Sequence, residues 1–426
     1  MRESPMAATD LHAGSLPPGF AEPDLAGALE ALAAIVGEEH VLTDLAALER
    51  YREPHADLSE PGAVPAAAVR PASAAEVRAI VRAAGEHGVP LAGVGEAVPG
   101  RIVLDLARMN RVLELDATFA CAVVEPGATY RDVHAEIQRR GLALWLDVPD
   151  GDWDAPVGAG PSPRAVGGPA ELVLDGGGLL RPGGDPAIVT KTVVPLLQDP
   201  PAREAYLVTL PCEEDLGAFV DVVQALQRTM VFPTAPTVRH VQLDAPAGID
   251  PAAVPEELQL GVWNFFGALH GDARTVELLL PLVEEAFAGV PGARLYRPAD
   301  RPPDPEDVLR VRARALSGEP PRGAVGPRHR LGPGGAQIDV CTVAPATAGA
   351  ALALDAVGRA RCGEAGFDYL GAFTVGPREL RHVCSIVYDG TSPADEERAL
   401  ALCRALVHDA RASGARVSRA RRVPGD

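Results

Sequence analysis

The sequence has no long hydrophobic run and little positive charge. No stretch approaches the roughly 18–20 uncharged apolar residues that a transmembrane helix needs, so we expect no membrane span. Its 39 lysines and arginines are outnumbered by 58 aspartates and glutamates, which gives a formal net charge of −19. A chain this acidic does not offer the basic surface that nucleic acids and anionic membranes require. We therefore expect neither as a partner.

Cysteine is also sparse: the six cysteines are scattered at long intervals, and none forms a C-x-x-C pair. The histidines do not accompany them at zinc-binding spacing, so we expect reduced, mostly buried thiols and no structural metal ion. The first twenty residues contain no apolar segment typical of a secretory signal, which predicts a cytoplasmic protein. Arginines crowd the C-terminal tail, where we expect a frayed, solvated end, with a docking patch as the alternative. They are Arg411, Arg416, Arg419, Arg421 and Arg422.

The 426 residues are 47% hydrophobic, which is enough apolar material for two or three globular domains. After a leader with two helix-like stretches, short strands alternate with helices. Ser73 and Glu76 predict a capping box at the start of a helix that ends at Gly88. A second helix is predicted over Tyr130–Arg140. This pattern is typical of an α+β domain rich in strands.

Residues 151–187 are dominated by Gly, Pro and Asp, with one strand-like run, ELVLD. So long an irregular segment indicates either a functional loop or the scar of a deletion. From Tyr206 onwards strands and helices return and predict an antiparallel sheet with helices on one side. The pattern predicts strands over Val238–Leu243 and Leu258–His270, and a loop over Arg301–Gly335.

Eight runs in a fixed order carry a family resemblance. They are VRPASAAEVRAIVRAAGEHGVPL, IVLDLARMNRVLELD, AVVEPGATYRDV, LWLDVPD, IVTK, VWNFFGALHG, FDYLGAFTVGPREL and VYDGTSPADEERA. Together they resemble the vanillyl-alcohol oxidase and 4-cresol dehydrogenase family of FAD-linked oxidoreductases. The resemblance implies an α+β chain with a shortened FAD-binding domain of that type, followed by a cap domain whose antiparallel sheet is flanked by helices. We place these domains at residues 61–205 and 206–426, after the leader at residues 1–60.

The same resemblance implies a function and a site. The expected activity is FAD-dependent oxidation of a phenolic or benzylic small molecule, by hydride transfer to the flavin. Asp150 matches the family's active-site acid, although the neighbouring Asp147, Asp152 and Asp154 offer turn carboxylates of the same kind. The expected partners are a small aromatic substrate and either a second copy of the chain or an intact homologue. The implied cofactor-binding residues are Gly93, Gly95, Pro149, Gly158, Ile188, Val189 and Thr190.

The chain departs from the family where the cofactor and substrate are held. Gly93–Gly100 runs almost directly into the next strand and adds Glu96, whose negative charge opposes a diphosphate. The segment that follows Asp150, an insert between Asp185 and Ile188, and the family's C-terminal segment are shortened or missing. The alternative is therefore a flavin-free, non-catalytic or ligand-binding descendant, and whether the chain is an enzyme stays open at this stage. An eroded gene product, which would fold poorly, is a third hypothesis.

Several residues have both a structural and a functional interpretation. Ile188–Thr190 could be a β-branched core strand, and Gly158 a simple bend. The Trp153 side chain could either pack within its own loop or stack against a ligand ring. His382 and Cys384 lie two apart on one strand face, which favours core packing over a catalytic Cys–His pair.

Overall fold

The chain divides into two compact units in the computed structural model. Unit 1 comprises Met1–Leu146 and Asp152–Leu197, and unit 2 comprises Asp147–Gly151 and Gln198–Asp426. The predicted domain boundaries at residues 60 and 205 stay predictions. Among the residues described, no helix has both the length and the apolar character needed to cross a membrane. The structure describes residues 22–51, 64–94, 101–148, 153–157, 188–228, 232, 234–246, 249–304, 307–320 and 327–423.

Unit 1 contains short helices and shorter strands. Its helices are α1 (Glu22–Val36), α2 (Leu45–Leu48), α3 (Ala74–His87) and α4 (Tyr130–Arg140). Its strands are β1 (Val41–Leu42), β2 (Ala67–Val69), β3 (Leu91–Gly93), β4 (Ile102–Leu104), β5 (Val112–Asp116), β6 (Cys121–Val124), β7 (Leu144–Trp145) and β8 (Thr192–Pro195), followed by β9 (Leu197–Gln198), where the chain passes into unit 2.

The first sheet of unit 1 has the order β1-β2-β4-β3, with β2, β4 and β3 mutually parallel. Helices α1 and α3 pack against it through an aliphatic core. The predicted start of α3 is half confirmed: Ser73 Oγ accepts a hydrogen bond from the Glu76 N–H, but the Glu76 carboxylate accepts from Ala72 N instead of Ser73 N. Gly88 ends the helix in the left-handed conformation, as predicted.

A second, antiparallel sheet in unit 1 has the order β5-β6-β8. The following helix, α4, begins at a complete capping box between Thr129 and Asp132. It ends at Gly141, whose φ of 62° is the left-handed conformation that glycine adopts at low cost. The predicted helix over Tyr130–Arg140 is therefore confirmed at both ends.

Unit 2 has longer elements. Its helices are α5 (Asp215–Leu226), α6 (Val241–Asp244), α7 (Ala273–Phe287), α8 (Val308–Leu316), α9 (Ala348–Ala365) and α10 (Pro393–Ala412). Its strands are β10 (Ala202–Leu210), β11 (Thr237–His240), β12 (Trp263–Gly271), β13 (Arg294–Tyr296), β14 (Gly335–Pro345), β15 (Leu370–Val375), β16 (Glu379–Asp389) and β17 (Arg416–Val423).

These strands form one eight-stranded antiparallel sheet with the order β13-β10-β12-β11-β15-β16-β14-β17. Helices α5, α7, α9 and α10 pack on one face and enclose a large core. Helix α8 packs on the opposite face, where Leu309 contacts Leu207 and Phe266. The predicted antiparallel sheet flanked by helices is confirmed.

Three local predictions in unit 2 are wrong. The strand expected to begin at Leu258 begins at Trp263, and the strand expected to reach Leu243 ends at His240. The expected loop over Arg301–Gly335 contains α8, because the Asp307 carboxylate caps its first turn by accepting from the N–H groups of Leu309 and Arg310.

The arginine-rich tail is also not frayed. Residues Arg416–Val423 form strand β17, which pairs with β14 at the edge of the sheet. A positively charged edge strand is a common protection against pairing with another chain. The cysteines are less buried than expected, since only Cys362, Cys384 and Cys403 are fully buried, and none of the six forms a disulfide.

Candidate functional site

The carboxyl ends of three parallel strands meet at one edge of the first sheet. Val69 of β2 and Gly93 of β3 both pair with Leu104 of β4, so the three strands end side by side. Ligands of sheets with parallel strands bind outside such carboxyl ends. Gly93, a predicted cofactor-binding residue, is exposed at this edge.

A hydrogen-bonded cluster fixes the chain just beyond these strand ends. Asp105 follows β4 and is buried; its Oδ2 accepts from the Tyr51 hydroxyl at 2.6 Å, and its Oδ1 accepts from Ala107 N at 2.9 Å. The Arg70 Nε, at the end of β2, lies 3.5 Å from the same carboxylate. Burial and the neighbouring Asp105 carboxylate raise the pKa of Tyr51, so its phenol stays protonated and donates. These contacts fix the chain at the carboxyl ends of the strands, where a carboxylate, a phenol and a guanidinium group lie together.

The turn between β6 and α4 is held by close backbone contact. A Cβ added to Gly127 would lie 2.5 Å from the Leu106 carbonyl oxygen, so only glycine fits here. Next to it, Glu125 accepts hydrogen bonds from Arg111 through both carboxylate oxygens. Burial alone would raise the pKa of Glu125, but the Arg111 side chain and backbone donors outweigh burial and lower it.

Residues 153–157 pack onto this turn. The Arg131 N–H donates to the Trp153 carbonyl at 3.0 Å, and Val157 N donates to the Ala128 carbonyl at 2.7 Å. The Trp153 ring is 1% exposed and meets the His134 ring edge to face at 5.6 Å. Trp153 is therefore packed against α4, and its Nε1 has no hydrogen-bond partner among the residues described.

The prediction that Ile188–Thr190 form a strand is wrong: these residues are irregular and lead into β8, which begins at Thr192 and pairs with β6. Ile188 packs against the aliphatic core of unit 1, and Val189 is half-buried. Thr190 and Thr192 are both buried, yet neither Oγ1 atom has a hydrogen-bond partner in the described part of the chain. A buried hydroxyl without a partner carries a desolvation cost of about 1–3 kcal/mol, so these positions suit a ligand with polar atoms.

The other predicted site residues lie outside the described residues. They are Gly95, Pro149, Asp150 and Gly158. Of the eight predicted site residues, the structure describes Gly93, Ile188, Val189 and Thr190, all in unit 1, and the roles of all eight residues stay predictions.

Unit 2 carries a polar cluster that the sequence analysis missed. On the sheet face opposite the large core, Asp339 Oδ1 accepts from Gln337 Nε2 at 2.6 Å and from Ser385 Oγ at 2.5 Å. Gln337 and Ser385 are buried and Asp339 is half-buried. The alternation of polar and apolar residues in QIDV, which has the period of a strand, is the signal that could have identified it.

His382 and Cys384 pack in the core of unit 2, as favoured from their spacing. His382 Nε2 lies 3.0 Å from the Tyr369 hydroxyl, while Cys384 Sγ lies 3.8 Å from Cys362 Sγ. The two side chains therefore have different partners and do not form a nucleophilic pair.

Comparison with known proteins shows which flavoproteins the chain resembles. The FAD binding domain family matches residues 65–172. The flavoprotein subunit of 4-cresol dehydrogenase from Pseudomonas putida is 25% identical, over 95% of this chain and 89% of that protein. The chain carries an FAD binding domain, and over almost its whole length it is similar to a flavoprotein of the vanillyl-alcohol oxidase and 4-cresol dehydrogenase family. A further relative, 1'-carboxy-chondrochloren decarboxylase of Chondromyces crocatus, is 42% identical over 28% of this chain and 24% of that protein.

Solved structures show the same fold. A 4-ethylphenol oxidase from Gulosibacter chungangensis superposes with a TM-score of 0.78 at 24% identity, over 95% of this chain and 90% of that chain. A p-cresol methylhydroxylase superposes with a TM-score of 0.74 at 22% identity, over the same shares. The predicted fold class, an FAD-binding domain of this type followed by a cap domain, is confirmed.

FAD is the cofactor of this family, and the described residues of unit 1 fit it. A flavin nucleotide presents many hydrogen-bond acceptors and donors, which suit the unpartnered hydroxyls of Thr190 and Thr192. The Trp153 indole N–H is a third buried donor on a neighbouring segment.

Proposed function

We propose that this FAD-dependent oxidoreductase oxidises a small phenolic or benzylic molecule. The observation that carries the proposal is the buried, unpartnered hydroxyl of Thr190, at the position where the family resemblance expects the flavin. At a buried position without a ligand, a methyl group could replace this hydroxyl without loss of stability. The names of the relatives, which include a 4-cresol dehydrogenase and a 4-ethylphenol oxidase, support an aromatic substrate.

In this proposal the cofactor is held by main chain and hydroxyl groups. Gly93 and Gly95 offer N–H groups to the diphosphate, and Thr190 offers its hydroxyl to the ring system. Bound FAD supplies the acceptor for two electrons. Four further residues, Pro149, Gly158, Ile188 and Val189, contribute close backbone contact in the same proposal.

Asp150 is proposed as the group that handles the proton. Oxidation of a phenol at its benzylic carbon releases a proton as well as a hydride, so a carboxylate beside the phenolic oxygen or the attacking water speeds the step by general base catalysis. Asp154 is a poorer candidate, because the Arg131 guanidinium holds it at 2.6 Å and lowers its pKa.

We propose the Asp339 cluster as a separate polar binding site within unit 2. Asp339 lies on the sheet face that the large core does not cover, and Gln337 and Ser385 fix its carboxylate from two sides. A carboxylate positioned in this way can accept a hydrogen bond from a hydroxyl group of a small ligand.

The visible absorption spectrum of the desalted protein tests the proposal. We expect flavin bands that bleach when a phenolic substrate is added without an electron acceptor. Asp150→Asn should keep the bands and lose at least about a hundredfold in bleaching rate, the typical contribution of a general base. The matched control is Asp154→Asn, which should bleach at the normal rate.

Three outcomes would contradict the proposal or part of it. A colourless protein whose melting temperature does not rise with added FAD would favour the flavin-free alternative. Unchanged bleaching in Asp150→Asn would remove this residue from the mechanism, and unchanged FAD affinity in Gly95→Glu would place the diphosphate elsewhere.

A further inference from the structure

Unit 2 has a small, partly open cavity between its sheet and helices α9 and α10. The floor consists of two cross-strand pairs of β14 and β16, Thr342 with His382 and Val340 with Cys384. The cavity has a volume of about 20 Å³. One water molecule needs about 10–15 Å³ on the same measure. The space is therefore large enough for a single water molecule.

Thr342 brings an unsatisfied polar group to this cavity. Its side chain is 3% exposed, and its Oγ1 has no hydrogen-bond partner in the described part of the chain. Successive residues of a strand point to opposite faces, so Thr342 lies on the same face of β14 as Ile338 and Val340, which belong to the large core. Its hydroxyl is therefore directed towards the helices and not towards the outer face.

His382 presents a second polar atom. Its ring stacks on Phe373 at 4.4 Å, and its Nε2 lies 3.0 Å from the Tyr369 hydroxyl. These contacts fix the ring and leave Nδ1 as the other nitrogen able to form a hydrogen bond. Gly358 of α9 permits this arrangement, since a Cβ there would lie 2.7 Å from the Tyr369 ring.

The pair continues into a buried charge network. The Tyr369 hydroxyl interacts with the Asp355 carboxylate, which accepts from Arg359 Nε at 2.8 Å. Arg359 also pairs with Glu213 nearer the surface. The polar groups thus extend from the surface to His382, and the cavity lies at their inner end.

We propose that this cavity is a water site, in which one ordered water molecule bridges the Thr342 hydroxyl and His382 Nδ1. Buried waters make two to four hydrogen bonds, and Asp409, which also lines the cavity, offers a third partner. The water removes the desolvation cost at Thr342 and completes a hydrogen-bonded path to Tyr369 and Asp355. It requires neither FAD nor substrate, so it stands independently of the proposed function.

A crystal structure of the full chain tests the water site directly. We expect a solvent peak within about 3.2 Å of both Thr342 Oγ1 and His382 Nδ1. Thr342→Val keeps the shape of the side chain and should lose the peak. Thr374→Val is the matched control, because the Thr374 hydroxyl bonds to Thr237 on another strand pair, and it should keep the peak.

Xenon pressure and thermal unfolding give two further readouts. A dry apolar cavity takes up xenon, so we expect no xenon in the wild-type cavity. If the water is present, Thr342→Val loses its hydrogen bond and should melt at a lower temperature. Xenon density in the wild-type crystal, an empty cavity, or a higher melting temperature for Thr342→Val would each overturn the proposal.

Discussion

The two units are built on different scales. The longest strand of unit 1, β5, has five residues, while β14 and β16 of unit 2 have eleven each. The main core cluster of unit 1 is aliphatic, whereas the core of unit 2 holds an aromatic group that includes Trp263, Phe265 and Phe373. Because aromatic side chains bury 150–250 Å² each, unit 2 gains far more from burial. We infer that unit 2 is stable on its own, and that unit 1 depends more on tight backbone contacts and on its ligand.

The largest expected effect tests the backbone contacts of unit 1. Gly127→Ala would place a Cβ 2.5 Å from the Leu106 carbonyl oxygen and 2.8 Å from the Met109 carbonyl oxygen. Backbone atoms cannot move aside as a flexible side chain can, so we expect a loss of about 3 kcal/mol or more in the free energy of unfolding. The measurement is urea unfolding followed by circular dichroism.

Gly85→Ala is the matched control for this change. Gly85 lies in α3 with no atom within 4 Å of its added Cβ. Alanine is the better helix former, so this variant should be more stable by about 0.5–1 kcal/mol. Equal stability of the Gly127 and Gly85 variants would contradict the tight turn.

Acid should destabilise unit 2 in a pH range that leaves unit 1 unaffected. Burial lowers the pKa of His382 to about 3, and burial with the Arg359 charge lowers that of His240 to about 4. Both histidines stay neutral in the folded state, while the unfolded chain binds their protons below pH 6.5, so stability falls as the pH falls. Asp355 has the opposite effect. Burial raises its pKa to about 6, so between pH 6 and its ordinary pKa of 3.8 the folded state binds a proton that the unfolded chain does not, which stabilises the folded state as the pH falls.

The pKa of His270 is also lowered to about 4, by burial and by the Arg203 charge. Three histidines against one aspartate leave a net uptake of about two protons on unfolding, or about 2.7 kcal/mol per pH unit between about pH 6 and pH 4.5. Unfolding midpoints at pH 6.0 and 4.5 measure this slope. His240→Leu should reduce this slope by about half. In unit 1 the pKa of Glu125 is lowered in the folded state. Protonation of this carboxylate therefore destabilises unit 1 only at pH values below 4.5, the pKa of a free glutamate. A slope that is unchanged in His240→Leu would show that other groups cause it.

The sequence predicts best where a local signal sets the structure. The helix before Gly88 and the one over Tyr130–Arg140 follow from caps that act within a few residues. Helix α8 was missed because it is short and buries only Leu309 completely, so its apolar pattern is weak. Strand β17 was missed because backbone pairing with β14 forms it, and its arginines are unusual in a strand.

The residues of the candidate sites also differ in how far the sequence predicts them. Thr190 could be identified because the run IVTK resembles a family segment, although its buried, unpartnered hydroxyl was visible only in the structure. The Asp339 cluster depends on the register that places Asp339 opposite Ser385, residues 46 positions apart in the sequence. No local pattern encodes that register, because long-range strand pairing determines it.

The smallest expected effect tests whether unit 1 depends on its ligand. Thr190→Val removes a hydroxyl that has no partner in the described part of the chain, so the flavin-free protein should be as stable as the wild type or slightly more stable. With FAD bound, the same change removes one hydrogen bond and should weaken affinity by about five- to tenfold, equivalent to about 1 kcal/mol. The measurement is the FAD concentration that gives half the maximal rise in melting temperature.

Thr118→Val, on the exposed turn between β5 and β6, is the control and should leave this concentration unchanged. Because FAD protects only the state that binds it, a Thr190→Val protein that melts lower without FAD would show that the hydroxyl serves the fold and not the cofactor.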